Sequence, residues 1–136
     1  MTLTIAPEET IGALQAQFQA AFPHLKLVFF TKPHKAYEGS PAKFLINEPA
    51  KTLGELNPNV HSGSLFLETD MPTWQVERLF EEEHGLHVQV FRKSGHIWLE
   101  TSVSDSLSLE QQEAKGRSGD DIHQEFVDPI DYREQL

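Results

Sequence analysis

Residues 64–101, SLFLETDMPTWQVERLFEEEHGLHVQVFRKSGHIWLET, decide the fold. Ser64-Leu-Phe-Leu-Glu-Thr69 has the alternating character of a strand. After Pro72 the apolar residues Val76, Leu79 and Phe80 recur at helical spacing, and Gly85 stands where a left-handed helix cap is expected. Leu86-His-Val-Gln-Val-Phe91 is β-rich, and Ser94-Gly95 sits between it and Ile97-Trp-Leu-Glu-Thr101 as a hairpin turn. The stretch therefore predicts a strand-helix-strand unit that ends in a hairpin.

The beginning of the chain repeats the pattern. Leu3 and Ile5 alternate with Thr2 and Thr4, Thr10 opens a helix with Ile11, Leu14, Phe18 and Phe22 on one stripe, and His24-Leu-Lys-Leu-Val-Phe-Phe30 follows as a strand. Ile5 matches Leu67, Leu14 matches Val76 and Phe18 matches Phe80, all 62 positions apart. Phe30-Thr-Lys32 matches Phe91-Arg-Lys93 with one residue of slippage. Two such units, over about 1–32 and 63–93, predict an α+β, ferredoxin-like two-layer sandwich with an antiparallel sheet and an added edge hairpin strand. A ubiquitin-like sheet is the alternative.

Outward from the repeats, the connection over 33–62 holds Pro33, Pro41, Pro49 and Pro58, a short strand candidate at Phe44-Leu-Ile46, and a capping box at Thr52-Leu-Gly-Glu55. Ser108 and Gln111 form a second capping box, opening a helix expected to end at Lys115 before Gly116. The domain is thus expected over 1–115. An acidic, flexible tail is expected over 116–136, with Phe126, Val127, Ile130 and Tyr132 able to dock it on the body.

A chain of 136 residues, 38% of them hydrophobic, fits one domain with a real core. It has no cysteine, which excludes disulfides, thiolate metal sites and a cysteine nucleophile. The net charge of -10 is uneven: residues 105–136 carry -6, whereas residues 26–51 carry +3. An acidic chain repels phosphate backbones, so no nucleic-acid partner is expected. With no signal peptide and no long apolar run, no membrane partner is expected either, and the chain reads as cytoplasmic.

Strand alternation sorts the residues into two faces. Leu3, Ile5, Leu25, Leu27, Phe29, Leu65, Leu67, Leu86, Val88, Val90, Ile97 and Leu99 form the side to be buried beneath the helices. Val28, Phe30, Phe66, Gln89, Phe91, Trp98 and Glu100 fall on the other, which is too aromatic for ordinary solvent-facing sheet. Three covers fit such a face: the chain's own connection or tail, a second copy in a homodimer, or a ligand beneath a lid. Base stacking on Phe30, Phe66, Phe91 and Trp98 is disfavoured, because the charge has the wrong sign and the basic glycine-aromatic signature is absent.

The polar candidates are weaker. His84-Gly-Leu-His87 follows Glu81, Glu82 and Glu83, but Gly85 ends the helix between the two histidines, so no metal site is expected. Lys32, His34, Lys35, Arg92 and Lys93 lie at matching ends of the two repeats and could bind an anion, although a pseudo-twofold fold would separate them within one chain. No G-x-S-x-G, phosphate loop or dinucleotide fingerprint occurs, so neither catalytic residues nor a cofactor are assigned.

Val88-Gln-Val-Phe-Arg-Lys-Ser-Gly95, with Trp98-Leu-Glu-Thr101 and Leu109-Glu-Gln-Gln112, resembles a group of small uncharacterised bacterial proteins carrying a similar strand-turn-strand. That resemblance implies no activity. The function expected from the residues is a non-catalytic interaction module that dimerises or holds a protein partner through its aromatic face. The alternative is a small enzyme or ligand-binding protein with a pocket between that face and the 31–61 connection, using His34, His87, His96 or Glu100.

Overall fold

The computed structural model describes residues 1–34 and 37–118. Within the described residues, six strands and four α-helices follow one another as β1 (Thr2–Ile5), α1 (Ile11–Ala21), β2 (Leu25–Phe30), β3 (Leu45–Ile46), α2 (Leu53–Leu56), β4 (Gly63–Phe66), α3 (Thr73–His84), β5 (His87–Ser94), β6 (Ile97–Glu100) and α4 (Leu109–Ser118). The chain is α+β, and every strand pairing is antiparallel.

Local chemistry places the boundaries where the sequence puts them. The Thr10 hydroxyl accepts from Ala13 N at 3.1 Å to open α1, and Thr52 accepts from Glu55 N at 3.2 Å to open α2. Ser108 and Gln111 form the reciprocal capping box of α4, at 2.9 and 3.1 Å. Gly85 closes α3 with φ 62°, a conformation that penalises any residue carrying a Cβ. The β5–β6 hairpin turns through Gly95 and His96, and the first of these also has φ 62°.

The strands form two sheets, β1–β4 and β3–β2–β5–β6. Strands at equivalent positions in the two units pair with each other. Leu3 lies opposite Leu65, and Val28 lies opposite Gln89. These pairs fall at the separations, 62 and 61, that align the two halves of the sequence. The hairpin strand β6 stands at an edge, as expected, and β3 forms the opposite edge.

One core joins the two sheets to the helices. It contains Leu3, Ile5, Leu65 and Leu67 from the β1–β4 region, Leu25, Leu27, Phe29, Val88 and Val90 from the larger sheet, and Ile11, Leu14, Phe18, Val76, Phe80 and Leu109 from the helices. Every member of the face expected to be buried is buried except Ile97, which is half-buried near the hairpin tip.

A second cluster lies on the outer face. Val28, Phe30 and Phe91 are 2% exposed or less, covered by Ala42, Phe44 and Leu45 of the connection and by Trp98. The cover is held by Thr31 N, which donates to the Phe44 carbonyl at 2.9 Å, and by β3 pairing along β2. Of the three covers that fit the aromatic face, the chain's own connection closes its centre, because β3 adds to the β2 edge and carries its apolar residues over the rings.

The last helix also runs further than expected. Gly116 does not stop α4, which continues to Ser118. A Cβ at Gly116 would lie 2.8 Å from His24 Cβ and 3.1 Å from Arg92 Cγ, so glycine serves close packing here. The docking residues Phe126, Val127, Ile130 and Tyr132 of the expected tail lie outside the described residues, as does Lys35.

Candidate functional site

The candidate site is a cleft that arises from a mismatch in strand length. β5 has eight residues but β6 only four, so pairing between them stops at Phe91–Glu100. The edge of β5 before Phe91 consequently lacks a strand neighbour, and its buried backbone groups need other partners. Thr101 N still reaches the Val90 carbonyl at 3.3 Å, and side chains supply the rest. Val90 N donates to Glu77 Oε2 at 2.8 Å, the Thr101 hydroxyl donates to Val90 O at 2.8 Å, and His34 Nε2 lies 2.9 Å from Val88 O.

Beside this edge opens a cleft of about 540 Å³, bounded by His34, Val88 and the α3 residues Trp74, Glu77, Arg78, Glu81 and Glu82. Trp74, Glu77, Arg78 and Glu81 recur at intervals of three and four, the spacing of one helical face. The start of α3 is fixed where Thr73 N and Thr73 Oγ1 both donate to Leu107 O, at 2.8 and 2.7 Å, and Trp74 N donates to Asp105 O at 3.1 Å.

Most charges around the cleft are paired. Arg78 Nε donates to Glu82 Oε1 at 2.6 Å, and Glu81 Oε1 lies 2.6 Å from His87 Nδ1. Glu77 differs. Its side chain is 2% exposed; Oε2 is engaged by Val90 N, whereas Oε1 has no hydrogen-bond donor among the described residues and lies 3.5 Å from His34 Nε2. Burial pushes the Glu77 carboxyl well above the usual carboxylate range, and the nearby carboxyls of Asp105 and Glu100 push in the same direction, while the Val90 bond opposes them.

The connection is latched beside this region. Tyr37, at φ 64°, donates its backbone N–H to Asp105 Oδ2 at 2.9 Å, and Gln89 Nε2 donates to the Glu38 carbonyl at 3.0 Å. Gly39 passes so close to Glu100 that a Cβ there would sit 1.9 Å from Oε1.

Of the residues expected to form one interaction face, Val28, Phe30, Gln89, Phe91, Trp98 and Glu100 do share one face of the larger sheet, but that face is mostly buried. Gln89 and Glu100 are buried with Val28, Phe30 and Phe91, whereas Phe66, on the other sheet, is 60% exposed. Trp98 is half-buried on the outside of the hairpin, with Lys26 Nζ 4.9 Å and Lys93 Nζ 6.0 Å from its ring.

The described members of the expected anion site do not converge either. Arg92 is fully buried and donates to Gln112 Oε1 beneath α4; Lys93 stays exposed at the hairpin, and His34 faces Glu77. Lys32 is exposed at the far end of β2. Of the histidines proposed as polar groups, His34 lines the cleft, His87 borders a smaller hollow of about 260 Å³, and His96 is exposed at the turn.

Among the described residues, no group of three or more His, Asp or Glu side chains is arranged to hold a metal ion, and no helix is long and apolar enough to cross a membrane. Trp74 and Glu77 were not legible as site residues. The only sequence signal was their position flanking the apolar stripe of Val76 and Phe80.

Comparison with protein-family models, curated proteins and solved structures returns no match, so function has to be read from this geometry.

Proposed function

We propose that the chain is a small-ligand-binding domain whose site is the cleft between α3, the uncovered edge of β5 and His34. The observation that carries this reading is Glu77, which lines a cleft large enough for a small molecule and whose Oε1 is buried without a hydrogen-bond donor among the described residues. The Val90 bond uses Oε2, which leaves the second oxygen of a residue that lines the cleft buried and without a hydrogen-bond donor among the described residues. Strong perturbation of a carboxyl in a cleft also marks a functional candidate.

A thermal-shift screen of metabolites on wild type, Glu77→Gln and Trp74→Leu tests the reading. Ligands that stabilise the wild type and lose their effect in both variants support it. Hits that ignore both substitutions would place binding elsewhere.

Self-association is the second reading, and Phe66 favours it. This aromatic stands 60% exposed on β4, in a sheet of only two strands. A dimer through that surface would revert to monomer in Phe66→Asp when followed by light scattering; a monomeric wild type ends the idea.

The fold fits a duplicated, ferredoxin-like origin as a further part of the proposal. In support, equivalent strands β1 and β4 pair antiparallel, and α1 and α3 follow them at the same offset. The strands β2 and β5 pair with each other here rather than flanking the β1–β4 pair.

A further inference from the structure

Resting on the reading of the cleft as a ligand site, its lining narrows the chemistry of the occupant. We infer that the cleft takes an organic cation with N–H donors, an ammonium or guanidinium group, which donates to Glu77 Oε1 and lies against the Trp74 ring. The inventory of donors and acceptors points this way. Three carboxylates, Glu77, Glu81 and Glu82, line the space. Its permanent cation, Arg78, is already engaged by Glu82 at 2.6 Å.

His34 offers little to an anion. Its Nε2 is within hydrogen-bond distance of Val88 O at 2.9 Å, whereas Glu77 at 3.5 Å is beyond a good bond. Once ionised, Glu77 therefore presents an acceptor in need of a donor beside the cleft. An incoming anion would meet carboxylates and no uncommitted cation among the described lining residues.

Trp74 supplies the second half of the recognition. It lies one helical turn before Glu77 and is half-buried, so a cation reaching the carboxylate passes the indole. Val88 provides an apolar contact for the carbon chain bearing the charge. A cation arriving at Glu77 would also favour its ionised form, offsetting the desolvation that otherwise opposes charge there.

The same chemistry could come from a free amine or from a lysine or arginine side chain of a polypeptide, and titration calorimetry on the full chain separates these sources. The probes are agmatine, tetramethylammonium, glutarate, erythritol and a capped Gly-Arg-Gly peptide. Agmatine should bind roughly tenfold more tightly than tetramethylammonium, which carries charge but no N–H donor, and glutarate should not bind. Tighter binding of the peptide assigns the site to a protein side chain, and tighter binding of agmatine assigns it to a free amine.

Glu77→Gln should weaken agmatine by roughly tenfold or more, the loss of a charge-assisted hydrogen bond. Trp74→Leu, which leaves the buried network intact, should weaken both cations and serves if the first variant does not fold. Agmatine affinity unchanged in the folded variants overturns the assignment. Binding of glutarate or erythritol, sensitive to Trp74→Leu, would overturn the cationic class while leaving the cleft a ligand site; no binding by any probe would remove support from both.

Discussion

His34 Nε2 lies 2.9 Å from the Val88 carbonyl and 3.5 Å from Glu77 Oε1. One ring N–H cannot serve both acceptors well, and the distances assign it to the carbonyl. The shorter strand β6 thus creates two needs at once. It leaves backbone groups of β5 that recruit Glu77 and His34, and it leaves one buried oxygen of Glu77, a residue lining the cleft, without a hydrogen-bond donor among the described residues.

The pH dependence of stability should report Glu77. Its carboxyl is raised above 4.5 in the folded state, so the native chain holds a proton that the unfolded chain releases as pH climbs from 4.5 to the folded value. Over that window its contribution to stability falls with rising pH, then levels off. The groups facing it are His34, Val90 N and the Asp105 and Glu100 carboxyls. Urea unfolding of wild type and Glu77→Gln at several pH values should show the variant gaining on the wild type above pH 4.5. A difference independent of pH would show that Glu77 does not titrate as described.

Gly116→Ala should destabilise the chain by about 1–3 kcal/mol, because the new methyl meets His24 Cβ and cannot be relieved by rotating a flexible side-chain end. Were Gly116 a helix stop, alanine would instead lengthen α4 and be neutral or stabilising. Chemical denaturation with circular dichroism distinguishes the two.

Phe91→Ala and Phe66→Ala should differ sharply in cost although both residues were expected on one aromatic face. The first removes a fully buried ring from the cluster under Phe44 and should cost about 3–5 kcal/mol. The second truncates an exposed ring and should change monomer stability by within about 0.5 kcal/mol. Equal effects would mean that the connection does not cover Phe91.

Much of the core was legible because it follows local periodicity. Leu14, Phe18, Val76 and Phe80 sit on helical stripes, and Leu27, Val88 and Val90 alternate along strands. Caps at Thr10, Thr52, Gly85 and Ser108 were legible for the same reason: their chemistry is local. Glu77 was not, since a glutamate beside an apolar stripe reads as a solvated flank, and its burial depends on where β6 ends. Arg92 shows the same limit. Strand alternation puts it with Leu25 on the inner face, but its hydrogen bond to Gln112 depends on the tertiary approach of α4, which local pattern does not encode. The cover over Phe91 depends on β3 joining the edge of β2, a pairing that local pattern does not encode.

The most direct test of the cleft as a ligand site is an isotope-edited NMR titration with agmatine, reading nuclear Overhauser effects between the ligand and the protein. Contacts from the agmatine methylenes to the Trp74 indole and the Val88 methyl groups are the predicted result. Contacts confined to the Trp98 surface of the hairpin, or none at saturating ligand, would contradict it.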